Sequence, residues 1–158
     1  MDACFITTVV VGVSRDTRTG GRFEKATALV LRRCGIPFES EVVVGDKPGG
    51  GKHRADLVAR RSTGKELIVS CKTQNTGGTA EEKLPFELMK LAHTVSDDPS
   101  HWGDYAVLIV DGVGWSPGIK NMLEQDAWLW MEEARKRVKI YYSAEDFVKT
   151  EFPDQYTP

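Results

Sequence analysis

The hydrophobic pattern of this chain changes its period several times. Continuous or alternating apolar runs predict strands at residues 4–13, 37–44, 54–60, 66–72, 105–110 and 138–142. Apolar residues three or four positions apart predict helices at residues 23–34, 85–95, 118–136 and 144–149. Strands that alternate with helices in this way indicate an α/β fold. The strand at 105–110 is nearly all apolar, so we expect both of its faces to be buried.

Glycine and polar residues mark the connections between these elements. Residues 14–20 are predicted to form a polar loop, and residues 46–51, with three consecutive glycines, a flexible hairpin loop. Gly35 is expected to end the first helix. The apolar stripe of that helix is predicted at Phe23, Ala26, Val30 and Cys34.

Length and composition favour one globular domain over residues 1–158. The chain is 41% hydrophobic and 28% charged, and no internal repeat or linker interrupts it. The apolar run at 4–13 follows Asp2 rather than basic residues, and no cleavage site comes after it. We therefore expect a buried strand there, and neither a signal peptide nor a membrane span. Three cysteines without a CxxC pair favour a reducing, cytoplasmic environment.

Polar side chains interrupt two neighbouring strands of the pattern. If these strands pair as a hairpin, Asp56 on the first lies close to Ser70 and Lys72 on the second. Side chains alternate across a strand, so Ser70, Lys72 and, if the strand continues, Gln74 share one face. Cys71 points the other way, as a small core residue. A carboxylate beside a lysine suits one divalent ion and a phosphate.

The order of Glu24, Asp56 and Ser70-Cys-Lys72 resembles the PD-(D/E)XK superfamily of restriction-endonuclease-like phosphodiesterases, over roughly residues 21 to 111. In that superfamily a helix glutamate comes first, then a strand aspartate, then an acidic residue two positions before a lysine. Ser70 stands where the acidic residue is usual. This position is the one departure from the motif.

The resemblance also implies where the missing carboxylate comes from. Some restriction enzymes of the superfamily carry a small residue at the position of Ser70 and supply a glutamate from the following helix. Glu81, Glu82 and Glu87 fall in that window. Glu87 lies closest to the usual spacing, and Glu82 competes with it because residues 77–85 resemble a stretch of some restriction-like nucleases.

Purely structural roles for both glutamates, without any metal, stay open. Glu82 has the spacing of a capping-box partner for Thr79, and Glu87 that of a first-turn acid after Pro85. The histidines His53, His93 and His101 have no zinc-ligand spacing and are expected to be structural or solvent-facing.

The fold implied by the resemblance is a central mixed β-sheet flanked by helices. The implied activity is hydrolysis of DNA phosphodiester bonds with Mg²⁺, for which Mn²⁺ substitutes. The resemblance implies that Asp56 is the central metal ligand, Glu87 or Glu82 the second, and Glu24 an outer or second-metal ligand. Lys72 orients water or neutralises charge. The two remaining predicted site residues are Ser70, which hydrogen-bonds a water at the cation, and Gln74, which contacts a phosphate.

Charge is distributed unevenly along the chain, although the net charge is only −2. Residues 1–90 hold fifteen Lys and Arg against eleven Asp and Glu, whereas residues 91–158 hold six against twelve. Basic groups therefore gather on the half that carries the proposed site, where they would grip phosphates. The candidate DNA-binding residues are Arg22, Lys25, Lys47, Lys52 and Arg54.

Three functions remain open at this point. A sequence-specific enzyme of the type II restriction or homing kind, acting as a homodimer on double-stranded DNA, fits the Ser-x-Lys departure best. A structure-specific nuclease such as a Holliday-junction resolvase shares the same order of elements. A catalytically inactive descendant that binds DNA or a protein is the third, because Ser70 replaces an acidic ligand.

Overall fold

The computed structural model describes residues 18–124, 131–156 and 158. The strand predicted at 4–13 therefore lies outside the described residues, as does most of the predicted loop at 14–20. In chain order the elements are α1 (Arg18–Arg33), β1 (Phe38–Asp46), β2 (Lys52–Arg60), β3 (Glu66–Thr73), α2 (Ala80–Asp97), α3 (Pro99–Trp102), β4 (Ala106–Asp111), α4 (Pro117–Glu124), α5 (Glu132–Arg137), β5 (Val138–Tyr141) and α6 (Ala144–Glu151).

The five described strands form one mixed sheet in the order β1-β2-β3-β4-β5. The pairs β1–β2 and β2–β3 are antiparallel, whereas β3–β4 and β4–β5 are parallel. Tight connections make the antiparallel pairs, and helical crossovers make the parallel ones, as strand direction requires. The predicted α/β fold with a mixed sheet and flanking helices is confirmed.

Helices cover both faces of the sheet. On one face α2 to α5 pack on a cluster that includes Val58, Ile68, Leu88 and Leu108. On the other face α1 and α6 pack on a cluster that includes Leu31, Leu57, Val69, Val107 and Phe147. Residues of β4 alternate between the two clusters, and all but the last are buried. The prediction that this strand is buried on both faces is confirmed.

Two helices differ from their predicted boundaries. α1 begins at Arg18 rather than at 23, because its glycine-containing first turn carries no apolar periodicity. Its buried side also differs, since Ala26 is exposed and Thr27 is buried. The helix predicted at 118–136 is described as α4 and α5, with residues 125–130 outside the described part.

The start of α2 changes the interpretation of its acidic residues. The helix begins at Ala80, so Pro85 is its sixth residue rather than its first and removes only one intrahelical bond. Thr79 stands at the N-cap position, but its side chain makes no capping hydrogen bond. The predicted capping box is therefore wrong. Glu87 is a buried residue in the middle of the helix, not a first-turn acid.

The β1–β2 pair bends at Asp56. Leu57 and Ala59 face α1, as alternation predicts, yet Ala55 packs in the same cluster as Val58 on the α2 side. Opposite this point, Glu41 has a positive φ of 55°, which is rare outside glycine. The β2–β3 ladder runs from Arg60 to Leu57, so the two strands separate at Asp56.

Helix α6 is fixed to the sheet by a buried carboxylate. Glu151 accepts hydrogen bonds from the hydroxyls of Tyr105 and Tyr141 and from the charged groups of Arg61 and Lys139, at 3.0 and 3.1 Å for the last two. Burial raises the pKa of Glu151, but the bonds from the two tyrosines and Lys139 outweigh burial and leave that pKa below its ordinary value. Among the described residues no helix has the length and apolarity needed to cross a membrane.

We expect Glu151→Gln to lower the free energy of unfolding by about 2 kcal/mol at pH 7, because hydrogen bonds to a charged group are lost. The native pKa is depressed, so this stabilisation is present above the unfolded value of about 4.3 and is lost as pH falls through the native pKa. Urea unfolding of both proteins between pH 7 and pH 3 measures this. Glu145→Gln, at an exposed position of α6, is the control. Equal stability of Glu151→Gln and wild type at pH 7 would contradict the prediction.

Candidate active site

Three polar side chains meet where β2 separates from β3. Asp56 Oδ2 accepts hydrogen bonds from the Cys71 backbone N–H at 2.7 Å and from Lys72 Nζ at 3.1 Å. The Asp56 carboxylate thus takes a backbone donor at the point where the ladder between the two strands ends. Lys72 Nζ also donates to Ser70 Oγ at 2.8 Å. The predicted proximity of Asp56, Ser70 and Lys72 is confirmed.

Helix α2 brings a second carboxylate to this group. Ser70 Oγ lies 2.8 Å from Glu87 Oε1 and 3.0 Å from Asp56 Oδ2, and its single proton serves one of the two. Glu87 Oε2 lies 2.8 Å from Lys90 Nζ and 3.7 Å from Lys72 Nζ. Ser70 is therefore the link between the two carboxylates.

The charges of these groups stabilise one another. Burial lowers the pKa of Lys72, but the carboxylates of Glu87 and Asp56 outweigh burial and hold that pKa above its ordinary value. Burial raises the pKa of Glu87, but Lys72 and Lys90 together outweigh burial and hold that pKa below its usual range. At neutral pH the site holds a lysine ammonium beside a glutamate carboxylate.

A cleft of about 330 Å³ opens beside Asp56, between α1 and the β1–β2 pair. Glu24 and Lys25 of α1 line it, together with Glu41 of β1. Burial and the negative charge of Asp56 raise the pKa of Glu24 above its ordinary value. A cation in this cleft would relieve that repulsion. The order of helix glutamate, strand aspartate and lysine in the sequence thus corresponds to one place in the fold.

Other predicted site residues lie elsewhere. Glu82 is exposed on α2, and no described contact joins it to Asp56 or Lys72. The shared face predicted for Gln74 depended on the strand continuing, and β3 ends at Thr73. Gln74 is buried, and its amide nitrogen donates to Gly114 O at 2.8 Å. No described contact joins Gln74 to Asp56 or Lys72, so its phosphate contact stays a prediction.

The predicted DNA-binding residues are all on the surface or at its edge. Lys25 lines the cleft and Arg22 is exposed on the same helix. Lys52 pairs with Asp46 at 2.9 Å, and Arg54 donates to the carbonyl oxygen of Glu41 at 2.7 Å. The hairpin loop that carries Lys47 is closed by a hydrogen bond from the Lys47 backbone N–H to Gly51 O at 2.8 Å.

A second loop packs against the end of β3. Glu81 accepts from the backbone N–H and the hydroxyl of Ser116, and Gly114 N donates to Gln74 O at 2.7 Å. At Gly112 and Gly114 a side chain would collide with the backbone near Gln74, with a Cβ as close as 2.3 Å to Gln74 O at Gly112. Residues 111–116 are thus held at the carboxyl edge of the sheet.

Sequence reasoning missed two residues behind the site. Lys90 is one turn after Glu87 on α2, and that i,i+3 spacing was the available signal. His53 is fully buried against Thr94, so its structural interpretation is borne out and its solvent-facing one is wrong. Nothing in the sequence indicated its place near the site.

The donor chemistry of this region suits a hard divalent ion. Among the described residues no group of three or more His, Cys, Asp or Glu side chains is close enough to hold a metal. Mg²⁺ needs only one or two carboxylates, since it keeps several waters. The described hydrogen bonds of Asp56 all go to Oδ2, and Asp56 lines the cleft. Asp56 and Glu87, with Glu24 opposite, would hold such an ion.

Comparisons with solved structures give distant similarities. The chain resembles the restriction endonuclease PspGI in complex with substrate DNA, with a TM-score of 0.45, 14% identity, and coverage of 91% of this chain and 53% of that one. A repair endonuclease from Pyrococcus abyssi gives a TM-score of 0.37, 11% identity, and coverage of 81% and 47%. A protein of unknown function, AF1548, gives a TM-score of 0.42 and 13% identity, with coverage of 75% of this chain and 56% of that one. The chain spans about half the length of these proteins.

The family comparison covers nearly the whole chain. Among curated proteins none matches the sequence. The model of the PD-(D/E)XK nuclease superfamily domain matches residues 15–153, which include α1, the whole sheet, Asp56, Lys72 and Glu87. This chain therefore belongs to the PD-(D/E)XK nuclease superfamily.

Proposed function

We propose that this chain is a metal-dependent endonuclease that hydrolyses DNA phosphodiester bonds, with Asp56, Glu87 and Lys72 as its catalytic residues. One observation carries the proposal: the Glu87 carboxylate reaches Ser70 from α2 and stands beside Asp56 and Lys72. This position supports Glu87 as the substitute for the acidic group that the sequence motif lacks at position 70.

Asp56 and Lys72 have different roles in the proposed reaction. PD-(D/E)XK nucleases generally use divalent metal ions. When bound, such an ion supplies Lewis-acid stabilisation of phosphate charge and lowers the pKa of water. Asp56 is held in one orientation by the Cys71 N–H and Lys72, which keeps its other oxygen available to the cleft. Lys72 stays protonated, so it neutralises charge on the phosphate and orients water rather than removing a proton.

Ser70 and Glu24 have supporting roles in this proposal. Ser70 fixes the distance between the two carboxylates through a hydroxyl that both approach. Glu24 adds negative charge on the far side of the cleft, where it binds the cation as an outer ligand. Mg²⁺ is the expected ion, with Mn²⁺ as a substitute, because the donors are carboxylate oxygens.

The proposed substrate is double-stranded DNA, cut at a specific sequence by a homodimer with one site per strand. The superfamily and the Ser-x-Lys departure of the motif support this choice. Cleavage of bacteriophage DNA into discrete fragments with Mg²⁺ tests it. Cleavage of a synthetic four-way junction alone would instead identify a junction resolvase, and DNA binding without cleavage by either metal would identify a binding protein.

Glu87→Gln is expected to reduce the rate of DNA cleavage by at least about a hundredfold, since even an outer partner of a metal ligand costs about ten- to a hundredfold in affinity or activity. Glu82→Gln on the same helix is the matched control and is expected to keep the wild-type rate, because Glu82 is exposed. Single-turnover cleavage of plasmid DNA with Mg²⁺ measures both. A larger loss in Glu82→Gln than in Glu87→Gln would show that the wrong glutamate has been assigned.

Lys25→Ala is expected to weaken DNA binding to all sequences and to reduce the slope of log affinity against log salt by about 1, because one phosphate contact is lost. Lys136→Ala is the control, since Lys136 pairs with Glu132 and Glu133 on α5. Fluorescence anisotropy of labelled DNA over a salt series, with Ca²⁺ in place of Mg²⁺, gives the two slopes. Equal slopes for Lys25→Ala and wild type would place the DNA away from this cleft.

A further inference from the structure

A buried histidine behind the site has one unused nitrogen. His53 of β2 is 0% exposed, and its Nδ1 lies 2.7 Å from Thr94 Oγ1. Thr94 Oγ1 donates its only proton to the carbonyl oxygen of Lys90 at 3.0 Å. Both bonds of Thr94 Oγ1 form together when Nδ1 carries the proton of the imidazole, and we assign this tautomer, which leaves Nε2 as an acceptor. Among the described residues this enclosed Nε2 has no hydrogen-bond partner.

A buried acceptor without a donor is rare in native proteins and requires an explanation. Protonation of His53 does not supply one, because burial and the positive charge of Lys90 lower its pKa to about 4. The imidazole is therefore neutral near pH 7. The neutral Nε2 therefore needs a hydrogen-bond donor from a neighbouring side chain.

Lys90 is a donor close enough for its charge to lower the pKa of His53. It lies one turn before Thr94 on α2, so its side chain and the His53 ring are on the same side of the helix. In the described arrangement Lys90 Nζ is 2.8 Å from Glu87 Oε2, and its side chain is only 16% exposed. Its long stem lies near the ring of Phe86, with Nζ 5.9 Å from the ring centroid. Rotation of this stem moves the ammonium without moving the helix.

We propose that Lys90 is an exchangeable counterion for Glu87, which passes its hydrogen bond to His53 Nε2 when Glu87 is engaged by a divalent cation. This inference rests on the proposed metal-dependent function. Without the cation, the buried Glu87 carboxylate needs Lys90 as its partner. With the cation, an ammonium at the same oxygen would repel it. His53 Nε2 offers that ammonium a neutral acceptor inside the protein, so Lys90 is a positioning residue and not a catalytic one.

Two substitutions of His53 separate its nitrogens. In His53→Asn the side-chain amide replaces Nδ1 and keeps the bond to Thr94, whereas the acceptor at Nε2 is removed. In His53→Gln the amide oxygen reaches the place of Nε2. Lys90→Met keeps the apolar stem over Phe86 and removes the charge. The readout is Mn²⁺ binding to the full chain without DNA, measured by isothermal titration calorimetry at about pH 7.5, where His53 is neutral. Circular dichroism checks that each variant is folded.

We expect His53→Asn to weaken Mn²⁺ binding by about tenfold, the lower end for loss of an outer partner of a ligand. His53→Gln is expected to stay near wild type, and Lys90→Met to bind Mn²⁺ more tightly than wild type. In a Lys90→Met background His53→Asn should have no further effect. Lys90→Met provides a test by itself if His53→Asn does not fold.

Each contrary result has a distinct meaning. Mn²⁺ binding by wild type with no change in His53→Asn, or a His53→Asn effect that persists without Lys90, overturns the counterion exchange and leaves the proposed nuclease intact. Lys90→Met that binds Mn²⁺ no more tightly than wild type also overturns the exchange. Absence of Mn²⁺ binding by wild type overturns the proposed metal-dependent function and this inference together.

Discussion

The hydrogen bond from the Cys71 N–H to Asp56 Oδ2 is the interaction on which the site depends. At 2.7 Å it takes the place of a ladder bond between β2 and β3 where the two strands part. A backbone donor at a strand separation costs free energy unless it finds a partner, and a carboxylate is a strong one. The same contact fixes Asp56 against Lys72. The opening in the sheet and the orientation of its central carboxylate therefore have one cause.

Charge balance around this opening explains why the second carboxylate can come from a helix. The carboxylates of Asp56 and Glu87 lie beside the ammonium groups of Lys72 and Lys90. These opposite charges raise the pKa of Lys72 and lower that of Glu87, so both groups stay charged. A buried carboxylate is tolerated only with such partners. On the proposed function, the position of the carboxylate relative to Ser70 Oγ would matter more than the element that carries it.

Much of this could be predicted from sequence, because side chains two positions apart on a regular strand share one face. Asp56, Ser70 and Lys72 follow from two neighbouring strands joined by a tight turn. The choice between Glu82 and Glu87 depends instead on where α2 begins and how it packs, and neither was visible while Pro85 suggested a later start. The prediction for Gln74 depended on a strand that ends at the residue before it, and strand ends are poorly marked in sequence. His53 lies near Lys90 only through contacts between β2 and α2, which local pattern does not encode.

An exchange of the two positions tests the central claim most directly. Glu87→Ser removes the helix carboxylate, and adding Ser70→Glu returns an acidic group to the strand position beside Lys72. The measurement is the rate of Mg²⁺-dependent cleavage of plasmid DNA by wild type, Glu87→Ser and the double variant, all confirmed as folded. The account predicts that Glu87→Ser loses cleavage and that the double variant recovers a measurable part of it. Full activity in Glu87→Ser would contradict the claim that Glu87 replaces the carboxylate missing at Ser70, as would a folded double variant that is no more active than Glu87→Ser.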